Sequence, residues 1–289
     1  MTPNLKQFNE GLQPRQNIEH IGSLLIKGNV DSYCVIIATG DIEVTGDVIN
    51  SKIKSANGSI IIRGEVKGAV SQINACQDII VKIAANAALK AGHNITIQES
   101  VIDAHLIAKN SIFLESNDGS IEGGETEAGK DIVSGIVGTL YKVPTLLKLS
   151  NFRQNELYLD LLKYDCASNE TRKSIEKLSK FIEVIKILGK KVIVLPQSKK
   201  QELALKIKKY NELKHTLSEL EKKKSVILKQ NENLEDLDRS IIIKKEIFEG
   251  VNVHIDKSKL TIQNHYKKVI LYKKGIIIVG DYDEFMKRK

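Results

Sequence analysis

Pairs of apolar residues spaced two apart return along the first half of the chain at intervals of roughly 17–20 residues. One series runs Ile36/Ala38, Ile53/Ser55, Ile73/Ala75, Leu89/Ala91 and Leu106/Ala108. A second runs Ile42/Val44, Ile60/Ile62, Ile79/Val81, Ile95/Ile97 and Ile112/Leu114. Spacing by two puts both members of a pair on one face of a strand. Short polar corners separate the pairs, several carrying glycine, as at Gly40, Gly58 and Gly92. A third element recurs as Gly28-Asn29-Val30, Gly46-Asp47-Val48 and Gly64-Glu65-Val66. A unit this short cannot bury a core alone and must stack on its neighbours. The pattern therefore predicts a parallel β-helix with three strands per turn over residues 18–144, preceded by an N-terminal arm, 1–17. The hexad formed by Leu24, Val30, Ile36, Ile42 and Val48 fails at Lys54, and later turns vary in length. That irregularity favours a right-handed coil, whose corners tolerate insertions. Asp41, Asp78 and Asp131 share one corner position but lack the dense Gly/Asp nonapeptide of calcium-binding repeats. They are expected to be solvated.

After Pro144 the period changes. Leu157, Leu161, Tyr164, Ile175, Leu178, Ile182 and Ile185 follow a three-four spacing, as do Leu203, Tyr210, Leu213, Leu217, Leu220 and Ile227. Two heptad helices of matched length, about 150–188 and 198–235, around a breaker holding Gly189 and Pro196 predict an antiparallel coiled-coil hairpin within 145–238. Asp165 to Thr171 keeps the seam only through Ser168 and Thr171, a soft spot. The tip, Val192-Ile193-Val194-Leu195, is apolar for a turn; local packing and a partner contact both fit it. Alternating strands return at 240–246, 251–255 and 275–280, so residues 239–289 are expected to continue or cap the coil. The fold class is thus mainly β with α: a single-stranded solenoid interrupted by a helical hairpin.

Composition narrows the function. Aromatics make up only 5% of the chain and Trp is absent, so the core must be Ile, Val, Leu and Ala. No apolar run reaches membrane-spanning length and the N-terminus lacks a signal-peptide pattern, which makes the cytoplasm the expected compartment. Cys34, Cys76 and Cys166 are far apart without a CxxC, so neither metal nor disulfide is expected. Charge is divided: residues 18–140 hold nine Lys/Arg against fifteen Asp/Glu, and residues 146–239 hold twenty-one against fourteen. Lys206, Lys208, Lys209, Lys222, Lys223 and Lys224 form basic clusters on the second helix. Interleaved Glu202, Glu212, Glu219 and Glu221 read as a solvated coiled-coil face; nucleic-acid binding would want a cleaner basic stripe with aromatics. These lysines and Val192–Leu195 are the candidate partner-binding residues. Asp103, His105 and His93 are scattered polar residues without a convincing catalytic set.

The order of these motifs resembles the flagellar assembly protein A family of bacteria. The resemblance is carried by Ala38-Thr39-Gly40-Asp41-Ile42, the Gly-x-Val steps and Gly119-Ser120-Ile121-Glu122-Gly123-Gly124. It continues through Ala128-Gly129-Lys130-Asp131-Ile132, Ile136-Val137-Gly138 and Ile247-Phe248-Glu249-Gly250-Val251-Asn252-Val253. It covers about residues 20 to 280. Larger members of that family carry an additional N-terminal domain; with roughly 17 residues ahead of the repeats, this chain is expected to be a short form lacking it. The resemblance implies a cytoplasmic protein of flagellar assembly or cell-pole organisation, with no catalytic residues and no cofactor. The expected function is a non-enzymatic scaffold with flagellar or polar protein partners and a possible homo-oligomeric state. The alternatives are a bactofilin-like self-assembling β-helix, a polysaccharide-active enzyme and a nucleic-acid binder.

Overall fold

The turns stack as the repeats require. The computed structural model describes residues 5–188, 196–232 and 239–286. The coil opens with β1 (Leu5–Phe8) and β2 (Asn17–His20), then β3 (Ser23–Ile26) with β4 (Val35–Ala38), then β5 (Ile42–Val44), β6 (Val48–Ile49) and β7 (Lys52–Ser55). From the fourth turn the first two strands fuse. β8 (Ile60–Lys67) precedes β9 (Gln72–Ala75), β10 (Ile79–Ala85) precedes β11 (Ala88–Ala91), and β12 (Ile95–Ile102) precedes β13 (His105–Ala108). β14 (Ile112–Leu114), β15 (Ser120–Glu122) and β16 (Gly124–Ala128) make the next turn, followed by β17 (Asp131–Val137) and β18 (Thr145–Leu149). Helices α1 (Phe152–Leu188) and α2 (Gln197–Glu232) come next. The chain ends in β19 (Ser240–Ile247), β20 (Asn252–Ile255), β21 (Ser258–Thr261), β22 (Tyr266–Lys274), β23 (Ile276–Asp281) and α3 (Tyr282–Met286). Contacts divide the chain into two compact units, Phe152–Leu237 and the remainder.

Three inward ladders fill the solenoid. In register, Leu24, Ile42, Ile60, Ile79, Ile95, Ile112, Ile132 and Ile241 form the first. Leu12, Val30, Val48, Val66, Ala84, Val101, Ile121, Val137 and Ile247 form the second. Ile18, Ile36, Ile53, Ile73, Leu89, Leu106, Thr126, Leu147 and Val253 form the third. All are buried. The three-strand turn thus appears as two sheets, because the first two strands of later turns run together with only a register shift, as between Val81 and Ile83. Eight strands of the second sheet precede the helices and β20 follows them, giving a solenoid of about eight turns.

One corner is stitched by side chains. Asp41 N–H donates to Ser23 Oγ (3.1 Å), Ser59 N–H to Asp41 Oδ1 (2.8 Å) and Asp78 N–H to Ser59 Oγ (3.3 Å). Asn94 N–H donates to Asp78 Oδ1 (2.9 Å), Ser111 N–H to Asn94 Oδ1 (3.2 Å) and Ser240 N–H to Asp131 Oδ1 (3.1 Å). This corrects the expectation of merely solvated acids. A corner amide turned out of the ladder needs an acceptor, and a short Asp, Asn or Ser on the turn below supplies it. The last link crosses the helical insertion, where Asp131 lies opposite Ser240 and Ile132 opposite Ile241. The coil therefore resumes in register across the insertion, the bonded residues lying 109 positions apart in the chain.

Two boundaries differ from the sequence reading. The described residues of the expected arm make the first turn: β1 pairs in parallel with β3, and Leu12 is buried. The residues Thr145–Leu149 form β18 rather than the start of the hairpin, and α1 begins at Phe152. The first turn lacks the Gly-Asp corner that marks later ones, and β18 follows a proline that reads as a break.

At the C-terminal end the direction reverses. β21 lies antiparallel on β20, and β22 antiparallel on β19. Asp256, in the β20–β21 turn, accepts two bonds from Arg239 (2.8 and 2.7 Å) and one from Lys273 (3.3 Å). Burial pushes its carboxyl up, but the Arg239 bonds and charge and those of Lys273 outweigh this and hold it below the ordinary value. A carboxyl depressed on folding stabilises the protein above its unfolded pKa, and that contribution disappears as pH falls through the folded one. Asp256→Asn is expected to cost about 2 kcal/mol at pH 7. In urea unfolding the gap from the wild type should close as pH falls below about 4; a gap unchanged at pH 3 would refute the linkage. At the stitched corner, Asp131→Ala should cost about 1 kcal/mol while Asp131→Asn, which keeps an oxygen acceptor, should be near neutral. Equal losses would mean that charge, not the bond, is what matters there.

Candidate functional site

The hairpin holds most of the residues singled out for partner binding. Its seam is a continuous three-four pattern of positions half-buried except for the buried Ser168: Leu157, Leu161, Tyr164, Ser168, Thr171, Ile175, Leu178 and Ile182 on α1. On α2 it is Leu203, Lys206, Tyr210, Leu213, Leu217, Leu220, Lys224 and Ile227. The helices are 37 and 36 residues long, about 55 Å at 1.5 Å per residue. They run antiparallel: Lys224 pairs with Asp165, Arg172 with Glu221 at 2.7 Å, and Lys206 stands 4.0 Å from the Phe181 ring centroid.

The lysine clusters resolve into different kinds. Lys206 and Lys224 occupy seam positions, which corrects their assignment to the solvated face. Lys206 bonds Glu202 at 2.5 Å, and its stem shields the seam while the ammonium caps Phe181. That bond and the Lys206 charge hold the Glu202 carboxyl below its ordinary value. Lys208 reaches Glu212 (4.0 Å) and Lys222 reaches Glu219 (3.3 Å) along the helix. Lys209 and Lys223 are exposed and have no ion-pair partner among the described residues. Val192, Ile193, Val194 and Leu195 lie outside the described residues. The soft spot at 165–171 is helical throughout: Thr171 Oγ1 donates to the Ala167 carbonyl (2.8 Å), while Ser168 is buried with no hydrogen-bond partner for its Oγ among the described residues.

Sequence reasoning missed an apolar patch. Tyr158, Leu159 and Leu162 near the start of α1, and Val226 and Leu228 near the end of α2, are exposed at the same end of the antiparallel pair, Tyr158 by 59%. They lie beside the heptad positions, so a search for the seam alone passes over them.

The outer face of the second sheet carries a polar network. Lys148 bonds Glu125 (2.7 Å) and Glu127 (3.5 Å), and Ser150 Oγ donates to Glu127 (2.5 Å). His105 Nδ1 is 3.7 Å from Glu125. The bond to Glu125 raises the Lys148 ammonium against the opposing effect of burial, with the Glu127 charge adding to it. His254, in register with Lys148, is lowered by burial and by the charges of Lys259 and Lys148. The carboxylates are committed to neighbours on a sheet surface, an arrangement suited to fixing strands. Asp103 stands in a left-handed turn (φ 49°) and His93 on an exposed corner. Among the described residues no group of three or more His, Cys, Asp or Glu could hold a metal ion, and no helix is long and apolar enough to cross a membrane.

Residues 17–277 match a family model described as Flagellar Assembly Protein A beta solenoid domain. No curated protein and no solved structure matches. The seam makes its own prediction. Ser168→Ala removes a buried hydroxyl without a partner and should stabilise the hairpin by about 1 kcal/mol. The measure is thermal loss of helical circular dichroism; a lower melting temperature would show that Ser168 is satisfied in solution.

Proposed function

The chain belongs to the flagellar assembly protein A family, and from that premise we propose that it is a non-enzymatic scaffold of flagellar assembly or cell-pole organisation, acting in the cytoplasm. One observation carries the reading: the hairpin is inserted into the coil without interrupting it. The ladders run from Ile132 to Ile241 and from Leu147 to Val253 as though the helices were absent. An element of about 80 residues that the solenoid does not need for its own stacking is best understood as an arm for other proteins. The exposed apolar side chains at one end of it are suitable contacts. The candidate lysines Lys209 and Lys223 are free to steer acidic partners, whereas Lys206 and Lys224 hold the arm together.

End-to-end assembly is the second reading, since β1 and β2 each pair on one side only among the described residues. Against it stand the antiparallel β21 and β22, which replace the parallel edge that a stacked copy would extend at the other end. A polysaccharide-active groove or a nucleic-acid surface is less favoured, because Glu125 and Glu127 are tied to Lys148 and four of the six candidate lysines on the hairpin have acidic partners.

Deleting the gene in its own host should reduce or misplace flagella, scored by swimming and by electron microscopy, and the intact gene should restore them. A chain with residues 152–237 replaced by a Gly-Ser linker should still unfold cooperatively as a β protein yet fail to restore motility. Rescue by that chain would remove the docking role of the hairpin, and normal flagella in the deletion strain would remove the assembly role.

A further inference from the structure

We propose that a groove across the third to sixth turns of the solenoid binds a short, extended acidic segment of a partner protein. This deepens the scaffold reading, and rests on it, by assigning a partner chemistry to the solenoid itself. The groove encloses about 410 Å³ and is lined by Lys54, Asn74, Cys76, Lys90 and Lys109 over a floor of small residues. Its geometry follows from the register. Lys54, Asn74 and Lys90 are successive members of one outward column of the second sheet. Two rungs place Lys54 and Lys90 about 10 Å apart. Ala56, Cys76, Gly92 and Lys109 follow one another at the adjoining corner, each donating its N–H to a carbonyl of the turn before. The floor is low because Ala56 and Gly92 stand there. Gly92 is obligatory, since a Cβ would meet the Cys76 carbonyl oxygen at 1.9 Å.

Charge identifies the occupant. No carboxylate lines the groove, and Lys54 and Lys90 make no ion pair with any described residue. The outward positions beside it, Lys52, Gln72 and Ala88, bring no acid either. The carboxylates on these outward columns are Glu19, two rungs before Lys54, and Glu127 and Glu125, which Lys148 and Ser150 meet. The groove is therefore a cationic site on a body with nine Lys/Arg against fifteen Asp/Glu over residues 18–140. A long polyanion would run from the lysines onto a repelling surface, and no aromatic ring is present for a base to stack on. A short segment escapes both objections. The three rungs from Lys54 to Lys109 span roughly 14 Å, about four extended residues. Ammonium groups meet carboxylates without a fixed geometry, and the Asn74 amide can serve the segment's backbone.

Cys76 supplies a reporter, since it is exposed in the groove while Cys34 is buried. In full-length protein carrying Cys166→Ser, a fluorescein-labelled peptide of four Glu-Ser repeats should bind saturably by anisotropy, more weakly as salt rises. An unlabelled copy should slow maleimide labelling of Cys76 several-fold. Lys54→Glu/Lys90→Glu should abolish both effects with an unchanged melting temperature, and Lys54→Gln/Lys90→Gln, which settles the matter if the first variant misfolds, should weaken binding at least tenfold. Lys209→Glu/Lys223→Glu on the hairpin should leave both intact. Absent binding, binding indifferent to the Lys54 and Lys90 changes, or an equal response to a single-stranded oligonucleotide of the same charge would overturn the proposal. Motility is judged separately by the gene deletion, so either result can fail without the other.

Discussion

Every turn of this protein must satisfy the backbone of the turn above and the turn below, at a spacing of about 4.8 Å. Once that condition holds, most of the sequence follows from it. Inward positions must have nearly the same size from turn to turn, so the first ladder is isoleucine or leucine from Leu24 to Ile241, and the second is mainly valine. Corners must pass one another closely. Gly58 and Gly64 stand where a Cβ would strike the Asp41 and Asp47 carboxylates of the turn below, and those same carboxylates accept the next residue's N–H. Glycine above and aspartate below are one device: the missing Cβ lets the acceptor in.

The same condition explains how the chain tolerates so large an insertion. A solenoid turn contacts only its neighbours, so a loop leaving at Asn151 and returning at Arg239 disturbs nothing provided that it returns in register. The return is fixed by a dense set of polar contacts. Ser240 donates both its N–H and its hydroxyl to Asp131, and Arg239 grips Asp256 in a two-pronged bond with only 13% of its side chain exposed. The hairpin obeys a different rule. Two helices can cover only one stripe of each other, which is why its seam is largely half-buried and admits Lys206 and Lys224, neither of which a closed core would accept.

These rules decide what was legible in the sequence. Inward pairs such as Ile60/Ile62 and Ile79/Val81 are visible because burial on every turn forces period two, and the family match over residues 17–277 agrees with that reading. The first turn was not visible, because an end turn is held from one side and its corners are less constrained; Leu5–Phe8 carries no Gly-Asp mark. β18 hid behind Pro144. Lys206 and Lys224 looked like surface charge because spacing does not distinguish a lysine whose stem covers Phe181 from one that is solvated. The groove was equally hidden. Lys54, Lys90 and Lys109 lie far apart in the chain, and only the turn lengths, which vary, set which of them become neighbours.

Function in such a molecule has few places to reside. The inward side chains are consumed by the core, and the corner carboxylates by backbone amides. Many outward charges are consumed by cross-turn pairs such as Arg63 with Glu43 and Lys82 with Glu99. Among the described residues, those that lack such compensation include apolar side chains on the hairpin, and Lys54 and Lys90 over a small-residue floor on an acidic body. Uncompensated groups lower stability or solubility unless something meets them. In the proposed reading the hairpin would meet an apolar protein surface and the groove an acidic segment.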